Sequence, residues 1–345
     1  MKIVLDNIVF SLQKVGGISV YWYELYSRIL RNNYEISFID RNNENLIAEK
    51  SDKLGNEVID SGIKYLIFDR FVNLKLKSIK TKFIFHSSYF RITSNKYAKQ
   101  VVTVHDFTHE KFHKGIRRIL HSYQKGKAIK KADAIIVISQ NTKKDFLTYF
   151  PQIDKNKIHV IYNGVSNNFF HLKSSLVSND ILFVGQRGSY KNFDFAVKAV
   201  AQNKNFNLKI VGGKLAKIEK RLLEDFLPGR WEIFNNINDE KLNELYNTSF
   251  ALIYPSSYEG FGIPLVEAMK CGCPFIALNS SSIPEVAGNA GVLMDSLEIS
   301  LFNQALCNIK ENRDEIINKG FQQALKFSWD KCYEQTLSVY KKVLE

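Results

Sequence analysis

The chain has 345 residues, a length typical of about two domains. Hydrophobic residues make up 45% and charged residues 24%, which excludes disordered, collagen-like and coiled-coil chains. The formal net charge of +13 indicates an anionic partner, which the charge alone does not identify.

The cysteines and the apolar runs bear on where the protein works. No cysteine stands in a Cys-x-x-Cys pair, which argues against a zinc-ribbon or thioredoxin site. Four cysteines in a chain of this length are typical of a cytosolic protein whose thiols stay reduced. No apolar run approaches the roughly 18 residues of a membrane span, and Asp6 interrupts any signal peptide. We therefore expect a cytoplasmic protein, or one attached to the inner face of a membrane.

Short β-branched runs alternate with longer amphipathic stretches in the first half of the chain. Continuous apolar runs of this kind suit strands buried on both faces of a parallel sheet. A polar, turn-rich stretch at residues 162–179 follows and is typical of a linker. The predicted strands are Lys2–Leu5, Ile36–Ile39, Phe83–His86, Gln100–Val104, Ala134–Ile138 and Lys157–Ile161.

The alternation starts again near residue 180, and a last helix is predicted from about residue 328. The repetition predicts an α/β fold of two Rossmann-like, doubly wound domains, at 1–166 and 167–328. The strands predicted in the second half are Asp180–Val184, Asn207–Val211, Trp231–Phe234, Ser249–Tyr254, Pro274–Ala277 and Gly291–Leu293.

The positive charge is concentrated in one segment. Residues 64–131 contain 17 Lys/Arg and three acids. Within this segment Ile116, Ile119, Leu120 and Tyr123 recur at helical spacing, with basic residues on the other side. Two interpretations remain open, a solvated helix face and a basic amphipathic surface that binds anionic lipid. Nucleic acid is disfavoured, because there is no zinc finger, aromatic RNP signature or basic tail.

The segment with the most chemical signals follows the predicted strand end at Tyr254. Gly262 allows close backbone approach, and Pro264 stands where a helix is expected to begin, at its first position. A helix N-terminus next to a glycine-bearing loop forms an anion site. Glu259 in the loop and Glu267 in the expected first turn are natural acceptors for sugar hydroxyls.

A second candidate site follows the predicted strand that ends at Val184. The sequence there is Gly-Gln-Arg-Gly-Ser-Tyr-Lys-Asn, with Arg187 and Lys191 just beyond the carboxyl end of the strand. Open α/β sheets bind ligands at this edge. A guanidinium and an ammonium together suit a diphosphate.

The first domain offers two weaker signals at strand ends. Gly16 and Gly17 form a loop that admits a phosphate, although a tight turn explains them equally well. The dinucleotide fingerprint Gly-x-Gly-x-x-Gly is absent, which disfavours a dehydrogenase. His105 and Asp106 end a buried strand, where a functional histidine is expected, and His86 on the neighbouring strand is a weaker candidate.

Together these motifs resemble glycosyltransferase family 4, whose members have the GT-B fold. The sequence Glu-Gly-Phe-Gly-Ile-Pro-Leu-Val-Glu at 259–267 resembles the E-x7-E signature of that family. The Arg-Gly-x-Tyr-Lys-Asn and Ser-Ser-Ile-Pro-Glu-Val variants are most similar to the O-antigen mannosyltransferase branch. In much of the family arginine directly follows the glycine of the Arg/Lys loop, whereas here Gln186 does. The resemblance implies two domains that face a cleft, with a C-terminal helix at about 329–345 packed on the first.

The resemblance also assigns roles to individual residues. It implies that Glu267 binds the donor ribose, that Glu259 contacts hydroxyls of the transferred sugar, and that His105 lies beside that sugar. Arg187 and Lys191 are expected to hold the diphosphate. The implied catalytic residues are His105, Glu259, Arg187 and Lys191, and the implied donor-binding residues are Gly16, Gly17, Asp106, Phe261, Gly262, Ile263, Pro264, Leu265 and Glu267.

The expected function is retaining transfer of a hexose, with no metal and no cofactor. GDP-mannose is the expected donor, and a glycan or a polyprenyl-diphosphate-linked sugar in cell-surface polysaccharide synthesis is the expected acceptor. Two alternatives remain open: a sugar-nucleotide 2-epimerase of the same fold, and a non-catalytic scaffold that binds membranes through the basic segment.

Overall fold

The chain divides into two compact units in a computed structural model that describes residues 1–13, 16–40, 45, 57–59, 70–173 and 175–345. The first unit contains Met1–Gly164 together with Trp329–Glu345, and the second contains Val165–Ser328. Residues 14–15 of the predicted glycine loop and residues 64–69 of the basic segment lie outside the described residues.

The first unit contains a seven-stranded parallel sheet in the order β3-β2-β1-β4-β5-β6-β7. All six predicted strands are confirmed, with ends within two residues of the prediction. The sequence did not predict β3, a run of only three residues at one edge. The strands are β1 (Lys2–Asp6), β2 (Glu35–Ile39), β3 (Glu57–Ile59), β4 (Phe83–Ser87), β5 (Ala98–Val104), β6 (Ala134–Val137) and β7 (Ile158–Val160).

Helices connect β1 to β2, β5 to β6 and β6 to β7, as is usual for parallel strands, whereas residues 88–97 join β4 to β5 without a helix. Apolar residues of the central strands, such as Ile84 and Ile135, are fully buried between the helical layers. The described helices of this part are α1 (Ile8–Leu12), α2 (Gly17–Leu30), α3 (Thr108–Phe112), α4 (Gly115–Lys131) and α5 (Gln140–Tyr149).

The second unit contains a six-stranded parallel sheet, and all six of its predicted strands are confirmed. Its order is β10-β9-β8-β11-β12-β13, so the order reverses between β8 and β11. Ligand sites of open α/β sheets lie at such a reversal. The strands are β8 (Asp180–Val184), β9 (Asn207–Val211), β10 (Trp231–Phe234), β11 (Ala251–Tyr254), β12 (Phe275–Leu278) and β13 (Val292–Met294).

The helices of the second unit bury an apolar core against this sheet. Ile181, Leu208 and Ile253 on the strands meet Val197 and Phe302 on helices, all fully buried. The described helices are α6 (Phe193–Ala201), α7 (Lys217–Phe226), α8 (Asp239–Thr248), α9 (Ile263–Cys271), α10 (Ile283–Ala287), α11 (Ile299–Glu311) and α12 (Arg313–Ala324).

The predicted linker at 162–179 contains the boundary between the two units, which lies after Gly164, and its described part beyond that boundary packs onto the second unit. The backbone N–H of Phe170 donates to Asn243 Oδ1 at 2.9 Å, and that of Leu172 donates to Asn247 Oδ1 at 2.7 Å. The Phe169 ring is buried. Side-chain amides on α8 thus satisfy the backbone of a segment that lacks regular structure.

The last helix, α13 (Trp329–Leu344), belongs to the first unit and contacts α2, β4, β5 and β6. The fully buried Tyr340 hydroxyl lies 2.5 Å from His86 Nδ1. At the surface Arg28 on α2 pairs with Asp330 at 2.6 Å. In the described part of the chain, none of the helices is long and apolar enough to span a bilayer.

Candidate active site

The loop between β11 and α9 turns sharply at Gly262. Its φ is +102°, a left-handed conformation that favours glycine, and α9 begins at the next residue, Ile263. Two predictions about the start of this helix are corrected. Pro264 is the second helical residue rather than the first, and Glu267 is the fifth, so it lies in the second turn.

Two serines fix the backbone of this loop from the segment that precedes α10. The N–H of Glu259 donates to Ser281 Oγ at 2.8 Å. The Ser282 hydroxyl donates to the carbonyls of Glu259 and Phe261, both at 3.0 Å. The Phe261 side chain is buried against Phe327, so only backbone of this residue can face a ligand. The loop is therefore held in one shape before any ligand arrives.

Glu267 accepts a hydrogen bond from the buried hydroxyl of Tyr246 on α8, at 2.8 Å. Burial raises the pKa of Glu267 to about 7, and the Tyr246 hydrogen bond opposes that rise. A carboxyl group with a pKa this close to neutral changes its charge within the physiological range. Position in the second turn also excludes the simpler role of a first-turn acid that only complements the helix dipole.

Glu259 and Lys191 form a largely buried ion pair. Lys191 ends a short 3₁₀ turn at Ser189–Lys191, and Asn192 follows it with a φ of +49°. Asn192 Nδ2 donates to the carbonyl of Pro255 at 2.7 Å, which ties this turn to the loop after β11. The two predicted loops of the second unit are thus brought together at the carboxyl edge of the sheet.

Tyr254, the last residue of β11, lies within reach of both acids. Its hydroxyl hydrogen-bonds to Glu259, and burial together with the charges of Glu259 and Glu267 raises the pKa of Tyr254 well above its usual value. Tyr254 therefore stays neutral and donates. The Lys191 ammonium lies 5.6 Å from the centre of the same ring.

Arg187 is bound to a different loop. Its Nη2 donates to the carbonyls of Gly213 and Lys214, each at 2.8 Å, and its Nε lies 3.1 Å from Glu219 Oε1. Its side chain is only 5% exposed. Among the described residues its buried Nη1 has no hydrogen-bond partner, so a phosphate oxygen would reach this atom only after the side chain moves.

In the first unit, His105 and Asp106 form the turn that leaves β5. The His105 ring packs edge to face on Tyr21 of α2, with centroids 4.8 Å apart. Burial lowers the pKa of His105 to about 4, with Asp106 opposing that shift and Lys125 adding to it. The imidazole is therefore neutral at physiological pH.

The predicted glycine loop of the first unit leads into α2. The N–H of Gly16 donates to Ser19 Oγ at 3.1 Å, and that hydroxyl donates to the carbonyl of Gly16 at 2.9 Å. Ser19 thus caps the start of the helix. A Cβ on Gly17 would meet no atom of the described residues within 4 Å, so it would not clash with any of them.

Both halves of the chain match family models. Residues 15–169 match the family described as Glycosyltransferase Family 4, and residues 165–323 match the one described as Glycosyl transferases group 1. The chain belongs to the glycosyltransferases. The resemblance inferred from the motifs is confirmed, and so is the two-domain α/β fold.

Two curated relatives of this glycosyltransferase are named as mannosyltransferases. O-antigen chain mannosyltransferase B of Escherichia coli is 38% identical over 30% of this chain and 28% of its own length. O-antigen chain mannosyltransferase RfbU of Salmonella typhimurium is 28% identical over 63% of this chain and 62% of its own. The chain thus aligns with less than two thirds of each.

Among solved structures, the Anabaena protein HepE in complex with UDP and glucose is similar over the whole chain. The TM-score is 0.77 at 16% identity, with 99% of this chain and all of that one covered. At this identity the likeness establishes the fold alone.

Sequence reasoning did not predict several residues of this candidate site. Tyr246 and Tyr254 orient the two glutamates, but buried tyrosines are ordinary core residues and carry no motif signal. Ser281 and Ser282 stand in the Ser-Ser-Ile-Pro-Glu-Val motif, whose sequence alone does not indicate a structural role. Their contacts with the loop at 259–261 supply that role.

Proposed function

We propose that this glycosyltransferase moves a hexose from a nucleotide sugar to a glycan or lipid-linked acceptor in cell-surface polysaccharide synthesis. The observation that carries the proposal is the arrangement of Lys191, Glu259 and Glu267 around Tyr254 at the start of α9. A cation beside a helix N-terminus suits a diphosphate, and two carboxylates suit sugar and ribose hydroxyls. We assign donor binding to the second unit and acceptor binding to the first.

GDP-mannose is the donor we favour. The two relatives named above as mannosyltransferases support a mannose donor. The structure of HepE with UDP and glucose supports a nucleotide sugar as the donor class. Glu267 then binds the ribose and Glu259 the hydroxyls of the transferred sugar.

We propose a retaining, metal-independent step. The bond between the anomeric carbon and the diphosphate oxygen breaks, and a bond from that carbon to the acceptor oxygen forms on the same face. The acceptor proton passes to the departing phosphate oxygen. Lys191, the positive charge of Arg187 and the N-terminus of α9 stabilise the leaving diphosphate. His105 contacts the sugar as a neutral imidazole.

A second part of the proposal concerns attachment to a membrane. Ile116, Ile119 and Tyr123 on α4 are 66%, 63% and 68% exposed, so the apolar stripe faces solvent instead of the core. The exposed Arg117 and Arg118 stand beside them. We propose that this face binds anionic lipid at the cytoplasmic side of the membrane.

The first test measures thermal stability with GDP, UDP, dTDP and ADP, each well above its expected Kd. A ligand at about 100 Kd adds roughly 2.7 kcal/mol and raises the Tm by about 5–10 °C, because each kcal/mol corresponds to about 2–4 °C in a domain of this size. We expect GDP alone to stabilise the wild type and Lys191→Ala to lose the shift.

The matched control is Lys198→Ala on α6, an exposed lysine of the same unit. It should keep the full shift. Stabilisation by UDP instead of GDP would show that the donor is a UDP-sugar and not GDP-mannose. No shift with any nucleotide would refute donor binding at this site.

A further inference from the structure

Helix α4 buries one ammonium group on its inner side. Lys125 is 1% exposed, and its Nζ donates to Glu110 Oε2 at 2.8 Å and to the backbone carbonyl of Asp106 at 2.9 Å. The ring of Phe107 lies 4.5 Å from the same nitrogen. All three partners belong to the short segment that follows His105. The lysine therefore contacts this segment by a hydrogen bond, an ion pair and a cation–π contact at once.

Fold stability alone does not account for this lysine. Removing an ammonium and a carboxylate from water costs several kcal/mol for each ion, and an apolar pair of similar volume is often equally stable. An apolar side chain cannot donate to the Asp106 carbonyl. Nor can it bring positive charge close to the His105 ring. These two properties are specific to a cation at position 125.

The turn at His105 has other polar contacts, among them a hydrogen bond from the Thr108 N–H to Asp106 Oδ1 at 2.9 Å. The His105 carbonyl accepts from Thr142 Oγ1 at 3.5 Å, which is near the limit of a hydrogen bond. The Lys125 contact to the next carbonyl is shorter by 0.6 Å and charge-assisted. Among the described contacts, Lys125 is therefore the strongest polar restraint on the two carbonyls of this turn.

We propose that Lys125 is a positioning residue for sugar transfer: it holds the turn at His105 and Asp106 so that the imidazole meets the sugar in the reactive geometry. This inference rests on the role proposed above for His105. The groups that act on the imidazole are Asp106, Lys125 and His86, while His109 and His121 face Lys125 itself. Loss of the Lys125 charge should therefore raise the pKa of His105.

The test variant is Lys125→Met combined with Glu110→Gln, which removes both charges and preserves volume. Its matched control is Lys99→Met with Asp133→Asn, an ion pair at the other end of β5. We compare Tm, GDP affinity, kcat and KM for GDP-mannose, and the ¹⁵N-NMR titration of His105. A misplaced catalytic group can cost about 10²-fold in rate.

We expect the variant to keep GDP affinity and KM within about twofold while kcat falls at least about tenfold. The His105 titration midpoint should rise, and the control should leave both unchanged. Unchanged kcat and midpoint, or an equal loss in the control, would overturn the positioning role.

Two further arms keep the test decisive. If the Met variant does not fold, Lys125→Gln with Glu110→Gln retains an amide near the Asp106 carbonyl, and the same two readouts apply. If the wild type neither binds GDP nor turns over GDP-mannose, the proposed donor is wrong. The His105 titration needs no donor, so an unchanged midpoint in the variant would still refute the positioning role of Lys125.

Discussion

Glu267 combines a buried carboxyl with a proposed role, ribose binding, that favours a charged group. Burial raises its pKa to about 7 from an ordinary 4.5, with Tyr246 as its hydrogen-bond donor. Because the folded-state pKa is raised, protonated Glu267 contributes stability that is fully present below about pH 4.5. That contribution is lost as the pH rises through about 7. The ionised form that suits ribose hydroxyls is thus also the form that costs stability.

We therefore expect nucleotide affinity to depend on pH around neutrality. The GDP Kd of the wild type should fall as the pH rises from 6 to 8, because the carboxylate accepts stronger hydrogen bonds than the acid. Isothermal titration calorimetry across this range measures the change. Glu267→Gln should bind more weakly with a flat profile. A flat wild-type profile would contradict the ribose role.

At the scale of single elements, α4 differs from an ordinary surface helix. Its inner side buries His121, Gln124 and Lys125, which are polar, while its outer side exposes isoleucines and a tyrosine. The usual amphipathic pattern is thus reversed over the first half of the helix. Burial of an isoleucine contributes about 1.5–3 kcal/mol, so two such residues suffice for measurable lipid binding.

Ile116→Glu with Ile119→Glu should therefore weaken binding to vesicles that contain phosphatidylglycerol by at least about tenfold. Co-sedimentation with vesicles provides the measurement, and 0.5 M NaCl should weaken wild-type binding through screening. The control is Ile218→Glu on α7, an isoleucine that is 79% exposed in the second unit. Equal loss in the control, or wild-type binding to neutral vesicles alone, would refute the lipid surface.

The positions of the strands could be predicted from the sequence because buried parallel strands are continuous apolar runs. The contacts between loops could not be predicted in this way. Lys191 and Glu259 are 68 residues apart, and no periodicity indicates that they pair. The predicted start of α9 was wrong by one residue because proline is tolerated anywhere in the first turn, where backbone N–H groups have no partner within the helix. The orientation of α4 was undecidable because either side of it contains apolar residues.

At the scale of the whole molecule, the first unit depends on α13. The Tyr340 hydroxyl joins His86, whose Nε2 lies 2.9 Å from Thr103 Oγ1. Burial lowers the pKa of His86 to about 3, so the ring is neutral in the folded state. Since that pKa is depressed relative to an unfolded histidine, stability falls as the pH drops from about 6.5 towards 3.

Tyr340→Phe should lower the free energy of unfolding of the first unit by about 1–3 kcal/mol, because it leaves a buried ring nitrogen without its partner. Urea denaturation followed by tryptophan fluorescence measures this loss, and GDP affinity should not change. The control is Tyr333, which lies on the same helix as Tyr340 and accepts an exposed hydrogen bond from Asn32 through its hydroxyl. Tyr333→Phe should cost less than about 0.5 kcal/mol. An equal loss in the free energy of unfolding for both variants would show that the buried Tyr340–His86 hydrogen bond contributes no more stability than the exposed one.

The division of the chain has a consequence for its synthesis on the ribosome. The second unit is one continuous stretch, Val165–Ser328, whereas the first is completed only by residues 329–345. Nascent domains fold as soon as their own sequence has emerged. The second unit can therefore fold before the first, which lacks the contact between α13 and His86 until residues 329–345 have emerged. A translation product that stops before α13 would contain the whole second unit but an incomplete first one, so synthesis of residues 329–345 decides whether the first unit can complete its fold.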